Sequence, residues 1–228
     1  MTNVKKVVSF DIGTKHFAYS ISTFDLEDLL ALRAEYKALP KSLQRKTTGP
    51  MSPELQRILN KMFKLGNLIN CECENLRSEK YDRLDMETRK NLIKFLDDRQ
   101  KDIQDCDIVL IEQQYFSMTG RGKKFQSHAN MEAIKFAEFL LSYFMVVYPY
   151  MQVEICPAKN KTAALGMPKM GDRERKEYAD SETARILELR CDDRASMFEK
   201  KRGKDKTNDK ADTILQLEAW KYLNYIAK

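Results

Sequence analysis

Four acidic side chains stand at positions where they could share metal ions. Asp11 follows the apolar run Val-Val-Ser-Phe and Glu112 follows Ile-Val-Leu-Ile, so each ends a predicted strand. Asp209 and Asp212 are three residues apart in an amphipathic segment, and on a helix that spacing puts both on one face. Carboxylate oxygens are hard ligands that suit Mg²⁺ or Mn²⁺.

These four carboxylates are expected to converge. The carboxyl ends of neighbouring parallel strands share one edge of an open α/β sheet, which brings Asp11 and Glu112 together if their strands are neighbours. A helix packed across that edge would add Asp209 and Asp212. Four carboxylates repel unless cations lie between them, and two divalent ions about 3.5–4 Å apart would clamp the reacting oxygens of a phosphodiester. A single acid among 34 is usually a solvated surface group, so the hypothesis depends on the set.

The elements that must position these residues are predicted from hydrophobic spacing. Strands are predicted at residues 4–10, 17–23, 107–112 and 151–156, the first two as an antiparallel pair. Helices are predicted at 53–76, 86–104, 127 to about 147 with Ser127 as N-cap, 159–200 and 209–226. Residues 29–36 fit either a strand or a helix. This order favours a mixed sheet with helices on its faces.

Length and composition limit the class of protein. The 228 residues are predicted to form a single domain, 1–228, with a helical insertion at about 50–104 that carries no motif we can place. No apolar run is long enough for a signal peptide or a membrane span. The net charge of +6 permits a polyanionic partner without requiring one.

Cysteine and histidine usage narrows the kind of metal site. Five scattered cysteines indicate thiols in a reducing compartment rather than a disulfide framework. With two histidines a histidine-rich zinc site is excluded, and Cys71 with Cys73 alone offers too few zinc ligands. We interpret His16 and His128 as structural or surface residues. Any metal is therefore expected on carboxylates.

The motifs resemble those of a known family. The segments Asp11-Ile-Gly-Thr-Lys, Ile-Val-Leu-Ile-Glu112-Gln-Gln-Tyr and Asp209-Lys-Ala-Asp212 resemble the RuvC group of Holliday-junction resolvases, in the ribonuclease H-like superfamily. Pro157-Ala-Lys-Asn-Lys161-Thr-Ala-Ala-Leu-Gly166 matches a family segment in spacing. The layout is most similar to the poxvirus and large-DNA-virus branch, with fungal mitochondrial resolvases as cousins. The resemblance covers about residues 4–24, 107–170 and 200–226.

The resemblance implies a fold and an activity. The fold would be α/β, a ribonuclease H-like mixed five-stranded sheet with helices on both faces. The activity would be structure-selective cleavage of four-way junctions and related branched DNA by a Mg²⁺-dependent (or Mn²⁺-dependent) homodimer, in recombination or viral genome concatemer resolution. Neither a membrane nor a small-molecule cofactor is expected. An intracellular location follows, in a viral factory or the nucleus if the protein is viral, and less readily in a mitochondrion.

The resemblance also implies roles for individual residues. Asp11, Glu112, Asp209 and Asp212 would hold two metal ions in each active site, and Lys161 would lie near the scissile phosphate. Lys15 stands where the bacterial family has a basic residue, and Tyr115 where it has an aromatic that stacks on bases. Basic and aromatic loop residues complete the predicted DNA-binding set: Phe116, Arg121, Lys123, Lys124, Lys204 and Lys206.

Two other functions fit parts of the sequence. A protein with this fold could bind branched DNA without cutting it, although the presence of all four carboxylates argues against that. Asp11-Ile-Gly-Thr-Lys also resembles the first phosphate loop of the actin and sugar-kinase group. That group needs a second Asp-x-Gly loop, which this chain of eight glycines lacks.

Overall fold

The protein is built on a central sheet of five strands. The computed structural model describes residues 3–44, 51–78, 84–114, 118–119, 126–127, 131–166, 171–199 and 207–228. The strands of the sheet are β1 (Val4–Asp11), β2 (Phe17–Asp25), β3 (Asn67–Glu74), β4 (Ile108–Gln113) and β7 (Gln152–Pro157). Two short strands, β5 (Met118–Thr119) and β6 (Gln126–Ser127), pair with each other apart from it.

The order across the sheet is β3-β2-β1-β4-β7. Strand β2 pairs antiparallel with both β1 and β3, whereas β1, β4 and β7 run parallel. The carboxyl ends of β1 and β4 therefore lie side by side at one edge of the sheet.

Helices cover both faces of this sheet. They are α1 (Leu26–Ala38), α2 (Pro53–Lys64), α3 (Met86–Asp98), the single turn α4 (Gln100–Ile103), α5 (Met131–Val147), the single turn α6 (Asn160–Ala163), α7 (Asp172–Leu189) and α8 (Asn208–Lys221). Buried residues of α3 and α5 pack on one face, and those of α1, α2, α7 and α8 pack on the other. The predicted mixed five-stranded sheet with helices on both faces is confirmed.

The two faces of the β1–β2 pair carry side chains of different size. Aromatic residues such as Phe10, Phe17 and Tyr19 point to the α3–α5 side, where they form one core cluster. The alternate positions carry small residues and point to the α8 side: Ser9, Ala18, Ser20 and Ser22. Small residues let α8 approach the middle of the sheet closely.

Helix α8 is buried on nearly every side. Of residues 211–221, all but Asp212 are buried, including polar Gln216, Glu218 and Lys221. A helix surrounded by protein must find partners for its polar side chains within the fold. Gln216 does so by donating from Nε2 to the Ser9 hydroxyl at 3.1 Å and to the Phe10 carbonyl oxygen at 3.2 Å. This contact fixes α8 against β1.

Several sequence predictions of local structure need correction, and the helix predicted over 159–200 is divided into α6, α7 and a short 3-10 turn at Asp193–Met197. The helix predicted over 53–76 ends at Lys64, and residues 67–74 form the edge strand β3, so the segment 50–104 is not wholly helical. The ambiguous residues 29–36 belong to a helix, α1, which Asp25 caps by accepting from the Glu27 amide at 2.8 Å. Helix α5 begins at Met131, and Ser127 lies in β6 rather than at its N-cap. Among the described helices, none combines the length and the apolarity needed to cross a bilayer.

Candidate metal centre

Two of the predicted carboxylates lie next to each other at the sheet edge. The register pairs Phe10 with Ile111, so the following residues, Asp11 on β1 and Glu112 on β4, are neighbours on the α8 side. Each apolar run is buried in the sheet, and each carboxylate comes where its strand leaves the core. The Gln114 side chain donates to Glu112 Oε2 at 3.2 Å and so holds that carboxylate in place.

The ammonium group of Lys161 lies among three carboxylates. Its Nζ is 3.3 Å from Asp11 Oδ1, 3.0 Å from Glu112 Oε1 and 3.5 Å from Asp212 Oδ2. The Lys161 side chain is only 6% exposed, and it comes from α6, which follows β7 directly. Three separate elements thus direct oxygens at one buried cation, in an arrangement of three negative charges around one positive charge.

Burial and mutual repulsion shape the electrostatics of this cluster. Burial raises the pKa of Asp11 to about 7, although Lys161 opposes the rise. Burial also raises the pKa of Asp212. For Glu112 burial acts in the same sense, but hydrogen bonding with Asp11 and the charge of Lys161 outweigh it and leave the pKa lowered. Burial disfavours the charged form of Lys161, yet the carboxylates keep its pKa above the usual value. The cluster therefore holds its ammonium charged and has negative charge in excess.

Asp209 has different neighbours from the other three acids. Its Oδ2 lies 3.9 Å from His16 Nδ1, and no described residue offers that oxygen a hydrogen bond. Burial, with the nearby charge of Asp11, raises the pKa of Asp209. One ligand atom each from His16, Cys73 and Asp209 lies within 4.8 Å of the others. His16, interpreted from the sequence as structural or surface, and Cys73, set aside there as one of too few zinc ligands, thus lie beside a carboxylate that the sequence assigns to metal binding.

The predicted DNA-binding residues fall mostly outside the described residues. Lys15 is described, and its side chain is exposed in the turn between β1 and β2. The remainder lie outside the described ranges: Tyr115, Phe116, Arg121, Lys123, Lys124, Lys204 and Lys206.

Two positioning contacts could not be read from the sequence. Gln216 and Gln114 orient α8 and Glu112, and Gln is common on surfaces, so neither attracts notice in the sequence alone. The one signal for Gln216 is its place within an otherwise apolar stretch of α8. The signal for Cys73 is weaker, because its approach to Asp209 depends on the register of an edge strand.

Comparisons with known proteins agree with this architecture. No family model matches the sequence. A protein of Invertebrate iridescent virus 3, "Uncharacterized protein 97L", is 27% identical over 224 residues, which cover 94% of this chain and 98% of that protein.

Solved structures with the same fold include two resolvases. The fowlpox virus resolvase, in complex with substrate Holliday-junction DNA, has a TM-score of 0.54 at 15% identity, covering 96% of this chain and 99% of that one. Thermus thermophilus RuvC has a TM-score of 0.50 at 11% identity, covering 97% of each chain. At such identities the likeness shows the fold alone, and it agrees with the predicted α/β fold built on a mixed five-stranded sheet.

Proposed function

We propose that this protein is a structure-selective endonuclease that resolves four-way DNA junctions and related branched DNA. The observation that carries the proposal is the convergence of Asp11, Glu112 and Asp212 on one buried cation position at the carboxyl edge of the sheet. The fowlpox virus and Thermus resolvases share this fold, and the former is seen with Holliday-junction DNA.

The donor set fits hard divalent cations. Three carboxylates already surround an ammonium group, and their excess negative charge is what a second cation would neutralise. A fourth carboxylate, Asp209, has a buried oxygen with no hydrogen-bond partner among the described residues. Oxygen-only ligands of this kind suit Mg²⁺ or Mn²⁺. We propose Asp11, Glu112, Asp209 and Asp212 as the holders of two such ions.

Bound divalent ions would supply a hydroxide-like water nucleophile near neutral pH and charge stabilisation on the leaving oxygen. Residues of this chain would hold the carboxylates in position for this chemistry. Gln216 holds α8 on β1, which keeps Asp212 opposite Asp11, and Gln114 fixes the orientation of Glu112. Such pre-organisation matters because carboxylates that had to reorient during the reaction would lose much of their effect.

Lys161 has a second role in this proposal. Its ammonium neutralises part of the carboxylate repulsion in the resting protein. When a phosphodiester enters, the same ammonium can contact a non-bridging oxygen and stabilise the negative charge that develops there. The products of attack by water would be a 5′-phosphate and a 3′-hydroxyl.

DNA would lie over the carboxyl edge of the sheet. Lys15 is exposed in the turn after β1, close in sequence to Asp11. The basic segments 120–124 and 200–206 are connected along the chain to β4 and α8, the elements that carry Glu112 and Asp212. Lys and Arg at these places would contact phosphates, and Tyr115 would stack on bases exposed at the branch point.

A homodimer would match the two-fold symmetry of a four-way junction. The end of α5 exposes apolar side chains that a partner subunit could cover: Met145, Val146, Val147 and Tyr150. Sedimentation equilibrium of the full chain tests this. Val146→Lys should shift the protein to monomer, whereas Met197→Lys, an exposed apolar position on the other side of the sheet, should not. A wild-type monomer at all concentrations would contradict the dimer.

The nuclease proposal is tested with synthetic DNA. Wild-type protein in Mg²⁺ should nick a four-way junction and leave a linear duplex of the same sequence intact. Glu112→Gln should lose cleavage while still binding the junction in a gel-shift assay. Glu138→Gln, the same change at an exposed position of α5, is the matched control and should cut normally.

The outcomes separate the alternatives. Binding of junctions without cleavage by the wild type in either Mg²⁺ or Mn²⁺ would favour a non-catalytic junction-binding protein. Hydrolysis of ATP in place of DNA cleavage would favour the actin-like reading. Cleavage that survives Glu112→Gln would show that the active site lies elsewhere.

A further inference from the structure

A row of side chains crosses the sheet beside the carboxylate cluster. The register pairs Asp11 on β1 with Ala18 on β2, and Ala18 with Cys73 on β3. Directly paired residues of antiparallel strands point to the same face, so all three face α8. Ala18 is fully buried and has only a methyl group, which leaves room above it between the two longer side chains.

Asp209 lies next to this row of side chains. Helix α8 packs on β1, β2 and β3, and Asp209 lies in its first turn. The Asp209 Oδ2 is 3.9 Å from His16 Nδ1, and the ligand atoms of His16, Cys73 and Asp209 all lie within 4.8 Å of one another. An imidazole nitrogen, a thiol sulfur and a carboxylate oxygen thus meet beside, rather than inside, the group around Lys161.

We infer that His16, Cys73 and Asp209 form a separate site for a borderline-soft divalent cation of the Zn²⁺ class. Nitrogen, sulfur and oxygen ligands of these three kinds are those that Zn²⁺ takes, and three protein ligands leave a fourth position for water. A tetrahedral ion with bonds of about 2.0–2.3 Å needs ligand atoms roughly 3.3–3.8 Å apart. The His16 and Asp209 side chains are 35% and 22% exposed, so small rotations can close the remaining gap.

The chemistry of the three ligands agrees with a cation at this position. A divalent cation would bind Cys73 as the thiolate and displace its proton into solvent, one proton per ion. The buried Asp209 oxygen without a hydrogen-bond partner among the described residues would gain one ligand bond.

The neighbouring thiol shows what a structural cysteine looks like here. Cys71 is on the same strand and the same sheet face, two residues earlier, and its register partner is Ser20. Its sulfur lies 4.0 Å from the Lys210 carbonyl oxygen, and it is not one of the clustered ligand atoms. The two cysteines therefore form a matched pair, one inside the cluster and one outside it.

This site goes beyond the proposed nuclease and does not depend on it. If the nuclease proposal holds, the two sites compete for Asp209. A Zn²⁺ ion bound by His16 and Cys73 would then draw Asp209 away from the Mg²⁺ site, and Zn²⁺ would inhibit cleavage measured in Mg²⁺.

Cobalt absorption tests the site without using DNA. Co²⁺ is titrated into the full chain after chelator treatment, and Zn²⁺ affinity is measured by competition against the bound Co²⁺. The wild type should show a near-ultraviolet thiolate-to-cobalt band that Zn²⁺ abolishes. In Cys73→Ser the band should be absent, and Zn²⁺ affinity should fall by at least the ~10–100-fold that loss of an outer-shell partner costs. His16→Ala, in an exposed turn, should lower affinity similarly.

Two matched variants make the result specific. Cys71→Ser and Glu112→Gln should both keep the band and the Zn²⁺ affinity of the wild type, because neither residue belongs to the cluster. Circular dichroism checks the fold of each variant. Any of three results would overturn the inference: the wild type shows no band, the band survives Cys73→Ser, or the band is lost in Glu112→Gln. If Zn²⁺ inhibits cleavage and Cys73→Ser relieves the inhibition, the inference gains further support. If the cobalt results are as expected but the protein does not cut DNA, only the nuclease proposal is refuted.

Discussion

Helix α8 takes part in two buried charge clusters of opposite design. At its start, Asp212 joins Asp11 and Glu112 around Lys161, and the Asp212 side chain is 38% exposed. With all three carboxyl groups ionised the set would have a formal charge of −2, and because the pKa of Asp11 is raised to about 7, that group takes up a proton near neutral pH. The set is open to solvent on one side and its negative charge is not neutralised within the described structure.

Further along α8 the second cluster is closed. Glu218 bonds Arg190 at 2.7 Å through one oxygen and Lys221 at 2.8 Å through the other, and none of the three side chains is more than 4% exposed. Backbone carbonyl oxygens at the end of α2 accept further hydrogen bonds: Arg190 Nε donates to Phe63 O at 2.6 Å and Lys221 Nζ donates to Leu65 O at 3.5 Å. In this cluster one carboxylate and two backbone carbonyl oxygens contact two cationic side chains.

The difference separates a candidate binding site, which is open to solvent, from a sealed cluster that joins elements of the fold. In the first cluster the carboxylates hold the pKa of Lys161 above its usual value, whereas in the second burial lowers the pKa of Lys221 to about 8. The raised pKa values of Asp11 and Asp212 reflect the cost of holding negative charge in the first cluster, and a bound divalent cation would remove that cost, which suits this cluster to the proposed metal binding. The sealed cluster has no access for a ligand and ties α8 to α2 and α7.

The largest expected effect is on activity and falls on the open cluster alone. Asp212→Asn should lower the rate of junction cleavage by on the order of a thousandfold or more, equivalent to about 4 kcal/mol of transition-state stabilisation. Its urea unfolding free energy should change by less than about 1 kcal/mol, because the residue is partly exposed and loses repulsion as well as attraction. Asp98→Asn, on an exposed surface, is the control. If Asp212→Asn lost as much unfolding free energy as transition-state stabilisation, the two clusters would not differ in role.

The next effect is on stability and falls on the closed cluster. Glu218→Gln leaves two buried cations without their shared anion, which should cost about 3–5 kcal/mol of unfolding free energy. Urea denaturation followed by circular dichroism measures this. Glu54→Gln, at an exposed position of α2, should cost less than about 0.5 kcal/mol. A loss below 1 kcal/mol for Glu218→Gln would mean that water reaches the cluster.

Lys161→Met, in the open cluster, should lower the free energy of unfolding by a smaller amount, and that amount should depend on whether a divalent metal ion is present. In chelator, three carboxylates would then face one another without the ammonium, at a cost of about 1–2 kcal/mol given their partial exposure. Added Mg²⁺ should restore more stability to the variant than to the wild type. Thermal melts with chelator and with Mg²⁺ measure the difference, and equal responses to Mg²⁺ would argue against a cation site there.

The smallest effect is a pH dependence in the closed cluster. The pKa of Lys221 is about 8 in the folded protein against 10.5 for the free side chain, so the unfolded state binds more protons between those values. This group therefore adds stability as pH rises from about 8 to 10.5. Lys221→Met lacks that gain, so its stability relative to the wild type should fall by on the order of 1 kcal/mol for each pH unit within this range. Urea midpoints at pH 7.5 and 9.5 measure it, and a difference independent of pH would refute the lowered pKa.

The sequence predicted those parts of the fold whose signals are local. Strands β1 and β4 are apolar runs that end in a carboxylate, and the segment of α8 carries apolar residues at helical spacing, so their types were clear. Strand β3 was missed because Asn-Leu-Ile-Asn-Cys-Glu-Cys-Glu is half polar and follows a strong helical pattern, and the single Gly66 between them is a weak stop signal. Only pairing with β2 makes it a strand, and that pairing is not visible in the segment itself.

The sequence predicted which acidic residues lie near the candidate site, but not which neighbour each of them contacts. Strand-end positions were enough to bring Asp11 and Glu112 together. The spacing of Asp209 and Asp212 put them on one helix face, but a difference of three residues still turns them by about 60°. That turn gives Asp212 the Lys161 ammonium and Asp209 the His16 imidazole as neighbours. Which neighbour each meets depends on where α8 crosses the sheet.

The contact between Gln216 and Ser9 also has a consequence for biosynthesis. Those residues are 207 positions apart, and at about 5–20 residues per second a ribosome needs roughly 10–40 s to travel between them. During that interval the small-residue face of β1 and β2 has no α8 to cover it, and Asp11 has no Asp212 opposite. A nascent chain therefore passes through a long stage in which the sheet edge is made but the carboxylate cluster around Lys161 is incomplete. That cluster forms only after α8 has left the ribosome.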